Sequence, residues 1–250
     1  MSSNPLEIPV GPDGIRIFSG FRLPTLTKER FFTELGEVFM PGTPYMQAEL
    51  GLSSYNPAVL DSEGDPELPD EVALIVYASR VKYDTTRMTL RRRMYTHSHA
   101  GVFDMARSLG QFPGTVEAPE RPTERVSWRL FESQVDWQYG EMRVLFYSQT
   151  PGKPTFADEV IATTAAAKAD LTAAGADQVI CLAAPRYAVI WIHGPSNVSI
   201  GPEKLVPAGA QLLRDLAAQP VPMPTLSEGP KITGASAFTF RFVRDLRHFL

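Results

Sequence analysis

The sequence predicts an α+β fold in which two consecutive β-α-β-β-α-β units pack sheet against sheet around a hollow. Three observations predict it. Strand-like and helix-like segments run through one order over residues 15–136 and start it again over residues 137–250, after an N-terminal arm, residues 1–14. The strand-like segments alternate two sets of side chains, so each sheet has a face for its own helices and a second face that needs cover. The composition, 44% hydrophobic and 21% charged over 250 residues, suits a folded chain long enough to bury a core in each half.

The first half opens with Ile15–Leu23, rich in β-branched and aromatic residues and closed by Pro24, a strand. Thr27 then offers an N-cap, and Phe31, Phe32, Leu35, Val38 and Phe39 recur at helical spacing until Pro41-Gly42, which predicts the stop. Leu52–Leu60 reads as an edge strand because Asn56-Pro57 interrupts it. An acidic loop with two prolines covers Asp61–Asp70, and its carboxylates are expected to be solvated, Glu71 included. Glu71–Val81 is the clearest strand of this half. Thr86–Leu109 is expected to be one helix, buried along Leu90, Met94, Ser98, Val102 and Met105. Gly110–Glu124, with three prolines, reads as a loop, and Val126–Val135 as the closing strand.

In the second half Met142–Gln149 is a strand, and Phe156–Ala174 an alanine-rich helix with Val160, Thr164, Ala167 and Leu171 on one side. Gln178–Ala184 and Arg186–His193 are strands joined tightly at Pro185. Pro202–Gln219, with Leu205, Leu212, Leu213 and Leu216 on one face, is expected to be the second helix, and Ala237–Val243 the last strand.

Each half is then a ferredoxin-like unit. Over residues 15–243, by element order and hydrophobic pattern and without a diagnostic motif, the chain resembles the dimeric α/β-barrel superfamily in a tandem-fused form. That resemblance implies a small-molecule enzyme working without a cofactor. The superfamily includes monooxygenases of aromatic polyketides, isomerases, cyclases and decarboxylase-like enzymes, and its catalytic residues differ too much between groups to be carried onto this chain. A second implication stays open: chlorite-dismutase-like and dye-decolourising-peroxidase-like proteins also use tandem units and bind haem through a histidine, here His193, His97 or His99. A non-catalytic metabolite-binding protein is the third reading.

Several classes are excluded or disfavoured. A net charge of −4 gives no footprint for nucleic acid or an anionic membrane. The single Cys181 rules out an internal disulfide or a cysteine-built metal cluster within one chain, and its apolar strand suggests a buried, inert thiol. The N-terminus has neither a basic region nor a long apolar run, so no signal peptide or span is expected and a cytoplasmic protein is. Neither G-x-x-x-x-G-K-[ST], G-x-G-x-x-G nor G-x-S-x-G occurs. Self-association is open, because a tandem chain already holds both halves of a barrel.

The alternating faces give the candidate residues. Ala188, Ile190 and Ile192 suit a helix-covered face, whereas Tyr187, Val189, Trp191 and His193 carry polar tips suited to a cavity between the sheets. By the same reasoning Arg143 and Tyr147 from one strand, and Tyr77 from the first half, are assigned to the hollow. His193 is expected to be the general acid or base, with Tyr147 or Tyr187 orienting a substrate hydroxyl or carbonyl. Trp191, Tyr77, Arg143 and His97 are expected to bind substrate. His97 and His99 point apart on a helix, so no metal site is expected there. Arg80, Arg87 and Arg91–Arg93 read as a solvated basic face, with anion binding by arginine as the alternative.

Overall fold

Alternation along the first strand decides how the first sheet is used: β1 (Gly14–Gly20) turns Ile15, Ile17 and Ser19 one way and Arg16 and Phe18 the other. The structure, a computed structural model, describes residues 14–60, 64–115, 125–149 and 155–224. The N-terminal arm up to residue 13 and the strand expected at Ala237–Val243 lie outside the described residues. The chain folds as two units, one built on Asp13–Asp61 and Pro69–Gly110, the other on Gln111–Gln219.

In the first unit α1 (Lys28–Glu34) starts where expected, with Thr27 Oγ1 accepting the Arg30 N–H at 3.2 Å. Pro41-Gly42 does not end it. The chain passes through a π turn, Leu35–Phe39, straight into α2 (Met40–Gln47). Met40 N–H bonds to Leu35 O across the wide turn, one residue ahead of Pro41, which has no N–H to give. β2 (Leu52–Val59) and β3 (Glu71–Tyr77) follow. The single helix expected over Thr86–Leu109 is two short ones, α3 (Arg80–Thr86) and α4 (Leu90–Ser98), with a 3-10 turn at His99–Gly101. The break has a chemical cause: Ser79 and Thr89 each cap a fresh start, accepting from Lys82 N and Arg92 N. β4 (Leu109–Gln111) completes a sheet of order β2-β3-β1-β4. That order follows from connectivity: the crossover from β1 to β2 leaves a gap, and β3 fills it antiparallel to both. β2 lies at the edge, as Pro57 predicts.

The second sheet has six strands in the order β10-β7-β9-β8-β6-β5. They are β5 (Gly114–Thr115), β6 (Val126–Arg129), β7 (Glu141–Ser148), β8 (Gln178–Ala183), β9 (Tyr187–Gly194) and β10 (Gln211–Ala218), with α5 (Phe156–Ala166) and α6 (Lys168–Ala173) between β7 and β8. Four of them, β8-β9-β7-β10, repeat the strand order of the first sheet. β6, expected from sequence to close the first half, pairs antiparallel with β8 and so extends the second sheet.

The helix expected over Pro202–Gln219 is not there. A 3-10 turn at Pro202–Lys204 precedes an extended β10 paired with β7 along its length. Pro207 and Gly209 break any helical run, and the open edge of β7 then outweighs the helix preference of Leu212, Leu213 and Leu216. The second unit therefore has a helical layer on one side of β7–β9 built from α5 and α6, with Phe156, Val160, Ile161 and Leu171 packed on Leu145, Ile190 and Ile192. The first unit's core sits between its sheet and α1–α4, around Phe18, Phe31, Leu35, Ala73 and Phe103.

Candidate functional site

In the first unit the face of β3 that meets the helices carries Glu71, Ala73, Ile75 and Tyr77, two residues apart. Register sets Phe18 of β1 against Ala73, and Arg16 and Tyr55 of β1 and β2 against Ile75. Ala73 is the small residue in the middle of this floor. Above it the roof comes from Phe39, from Gln47 of α2, from Arg92, Tyr95 and His99 on α4 and its following turn, and from Phe103. The space left between is a cavity of about 70 Å³. Met105, 43% exposed, also lines it and marks the side that reaches solvent.

The polar groups in this cavity are unusual for a protein interior. Glu71 is 2% exposed, and its Oε1 accepts a hydrogen bond from the Tyr55 hydroxyl at 3.2 Å. Burial pushes its carboxyl from the ordinary 4.5 up to about 7, and Tyr55 only partly opposes that. The Tyr55 and Tyr95 hydroxyls are themselves driven well up by burial. Tyr95 shares a 2.5 Å hydrogen bond with Thr43 Oγ1. His99 places Nδ1 2.8 Å from Tyr95 O and lies against Phe18, Phe39 and Phe103. Burial first, then Arg92 and Arg16, bring its ring down to about 4, so the imidazole is neutral at physiological pH. At the other end Tyr77 donates to Gln47 Oε1 at 2.7 Å, and Arg92 donates to the same oxygen.

The residues singled out from sequence are distributed differently. Tyr187, Trp191 and His193 do share one face of β9, opposite Ala188, Ile190 and Ile192, which pack under α5 and α6. Tyr147 is on the other face: it is paired with Ala188, belongs to the helix-side core and donates to Pro202 O at 2.9 Å. Tyr77 faces the helices of its own unit, against Tyr83, Gln47 and Arg92. His97 is exposed on α4 and does not line this cavity. Arg143 is locked to Asp215 by two hydrogen bonds of 2.8 and 2.7 Å, with a third to Ile200 O. It lines a more open cleft of about 540 Å³, where this pairing leaves its guanidinium already satisfied.

His193, expected to be the acid or base, is 5% exposed and has both ring nitrogens in use. Nδ1 is 2.6 Å from Asp177 Oδ1 and Nε2 is 2.7 Å from Tyr139 O, while Trp137 meets the ring edge-on. Gly140, at φ +82°, makes room for this arrangement; a Cβ there would lie 2.8 Å from His193 Nε2. The imidazole ties the turn at residues 136–140 to β9 and offers no nitrogen to a substrate.

Sequence reasoning misses Glu71, and it reaches Arg92 only within the Arg91–Arg93 basic face, for which anion binding is the alternative. The acidic loop is expected to be solvated, yet Glu71 and Asp70 are both buried, and Asp70 accepts the Arg22 N–H at 2.8 Å. α4 is rotated from its expected stripe: Leu90 is 67% exposed, while Arg92 and Tyr95 are buried. Of the basic face, Arg91 pairs with Glu49 and Arg80 with Asp84, so only Arg92 turns inward.

A haem fits none of the described histidines. His193 has both nitrogens engaged, His97 is exposed on a helix surface, and His99 faces a cavity far too small for a macrocycle. Among the described residues no group of three or more His, Cys, Asp or Glu is placed to hold a metal ion. Cys181 is buried, with its thiol pushed far up by burial. Among the described residues no helix is long and apolar enough to cross a membrane.

No family model and no curated protein matches the chain. Similar solved structures include a monooxygenase candidate from Lactobacillus acidophilus NCFM (8% identity, TM-score 0.36, 73% of this chain and 77% of that one). An anthrone oxidase-like protein matches at 11% identity and TM-score 0.38, over 81% and 92% of the two chains. A monooxygenase candidate from Fusobacterium nucleatum subsp. nucleatum matches at 9% identity and TM-score 0.40, over 84% and 98%.

Proposed function

We propose that the cavity of the first unit is the active site of a small-molecule enzyme that moves a proton at a carbon next to a carbonyl group, with Glu71 as the base. The observation that carries this reading is a buried carboxyl that lines a small cavity, has no ionic partner among the described residues, and is brought to a pKa of about 7 by burial. Such a group is part ionised at physiological pH, so it both takes and returns a proton with little driving force lost. In the step, the Glu71 carboxylate removes the proton and the C–H electron pair moves into the substrate, leaving the charge on the carbonyl oxygen. The protonated Glu71 then returns its proton at the same carbon or at a neighbouring one. Electrons stay within the substrate, so the step as written needs no cofactor. Tyr55 holds the carboxyl in place, and neutral His99 with Phe18 and Phe103 makes a flat apolar wall.

Size limits the substrate. One enclosed water takes about 10–15 Å³ of such space, so the cavity holds roughly five non-hydrogen atoms. That supports a compact substrate, or a compact head group, rather than a polycyclic one. The test is hydrogen exchange: the protein is incubated in D2O near neutral pD with pyruvate or acetone, and proton NMR follows the methyl signal. Enzyme-dependent exchange that falls about 100-fold in Glu71→Gln is expected. Equal exchange by the variant, or none above buffer with either ketone, overturns the reading.

A further inference from the structure

Arg92 is 7% exposed, and among the described residues no carboxylate pairs with it. Its hydrogen-bond acceptors are neutral, Gln47 Oε1 and the Tyr83 hydroxyl. Three phenol rings flank it, Tyr77, Tyr83 and Tyr95, with centroids 5.6, 5.2 and 5.8 Å from the guanidinium carbon. Arg16 lies 5.5 Å over the same Tyr83 ring and likewise has no ionic partner among the described residues. Both arginines line the cavity that contains Glu71. A buried guanidinium is costly unless an anion or several hydrogen bonds compensate it, and ring contacts of this kind offset only a small part of that cost. Five N–H donors facing neutral acceptors, with no counter-ion among the described residues, describe half of a binding site.

Glu71 does not supply the missing charge. Burial raises its carboxyl, and no guanidinium pulls it back down. Other groups register the positive field instead. Burial pushes the Tyr83 hydroxyl up, yet Arg16 and Arg92 outweigh it and the net shift is downward. The same two arginines add to the effect of burial in holding His99 neutral. The arginine end of the cavity therefore favours negative charge, and the Glu71 end favours a neutral group.

We propose that this cavity binds a small carboxylate, with the anion held by Arg92 and Arg16 and the C–H-bearing end of the molecule directed toward Glu71. A carboxylate matches the planar fork of a guanidinium, and acetate or pyruvate has about the number of atoms that the cavity takes. In the proton-transfer step the arginines would also stabilise the charge that develops on the carbonyl oxygen. Gly110 does not line the cavity but leaves room for the Arg16 head: a Cβ there would lie 1.7 Å from Arg16 Nη2.

The inference rests on the same cavity as the proposed function, but binding tests it without turnover. The full chain is titrated calorimetrically at pH 7 and constant ionic strength with acetate, pyruvate and neutral acetamide. One site for the carboxylates is expected, at least about tenfold tighter than for acetamide. Arg92→Met should weaken that binding about tenfold or more. Gly110→Ala displaces only the flexible end of Arg16, keeps every charge, and should weaken it several-fold, which guards against an unfolded Arg92 variant. Equal affinity for acetate and acetamide, or carboxylate affinity unchanged in both variants, overturns the proposal. The two readings fail separately. Arginine-dependent carboxylate binding without Glu71-dependent exchange removes the catalytic reading alone, and exchange of acetone but not pyruvate removes the carboxylate subsite alone.

Discussion

Glu71 and His99 lie in one cavity and are shifted in opposite directions, which makes the pH dependence of stability a sharp test of the site. The Glu71 carboxyl is raised from 4.5 to about 7 in the fold. Below 4.5 both folded and unfolded chains are protonated there, and nothing is lost. Between 4.5 and 7 the folded chain keeps a proton that the unfolded chain has given up, so stability falls as pH rises, reaching a penalty on the order of 3 kcal/mol above 7. His99 is lowered from 6.5 to about 4. Above 6.5 it is neutral in both states. As pH falls from 6.5 to 4 the unfolded chain takes up a proton that the folded chain resists, so stability is lost in that direction, again on the order of 3 kcal/mol. Between 4.5 and 6.5 the two slopes oppose each other.

Glu71→Gln keeps the shape and the acceptor for Tyr55 and removes one slope. Urea unfolding of both proteins at pH 5 and pH 8 isolates it, because every other titrating group cancels in the difference. The variant should be more stable than the parent at both values, and the gain should be about 2.5 kcal/mol larger at pH 8 than at pH 5. With its slope from His99 unmasked, the variant should also lose stability steeply on acidification below 6.5. A gain that is the same at the two pH values would mean that the Glu71 carboxyl is solvated or paired, and the argument for a base in this cavity would fail with it.

Three further outcomes follow from the same geometry. Ala73→Leu grows a side chain into the space between Phe18, Tyr55 and Phe103. It should abolish acetate binding by calorimetry while changing unfolding free energy by no more than about 1–3 kcal/mol. His193→Leu removes the donor to Tyr139 O and the partner of Asp177, and should cost about 2 kcal/mol in urea unfolding while leaving Glu71-dependent exchange in place. Arg143→Met breaks the two-bond pairing of β7 with Asp215 on β10; because Asp215 is substantially exposed, the loss should be about 1 kcal/mol and should shrink in high salt.

What is legible in the sequence depends on whether a segment's polar and apolar residues agree about direction. On β9 they do. Ala188, Ile190 and Ile192 form one uniform set and Tyr187, Trp191 and His193 the other, and the structure separates them that way. On β7 the polar tip of Tyr147 misleads, because antiparallel partners share a face and Tyr147 is opposite the small helix-side Ala188. β10 has the composition of a helix and the position of an edge strand, which pairing with β7 decides and which no local pattern contains. The candidate site lies where the assumption that polar residues face water reverses. Glu71 continues the Ala73, Ile75, Tyr77 face by one more pleat, and Arg92, Tyr95 and His99 recur at helical spacing, so both signals are present as periodicities. Hydropathy hides them, since it sends every charge to the solvent side. A charge that falls in step with an apolar face is buried by the fold around it, at a cost that packing elsewhere must offset. Among the described residues a carboxyl and a guanidinium without ionic partners bear that cost in the same small cavity, and this is the physical reason for placing the chemistry there.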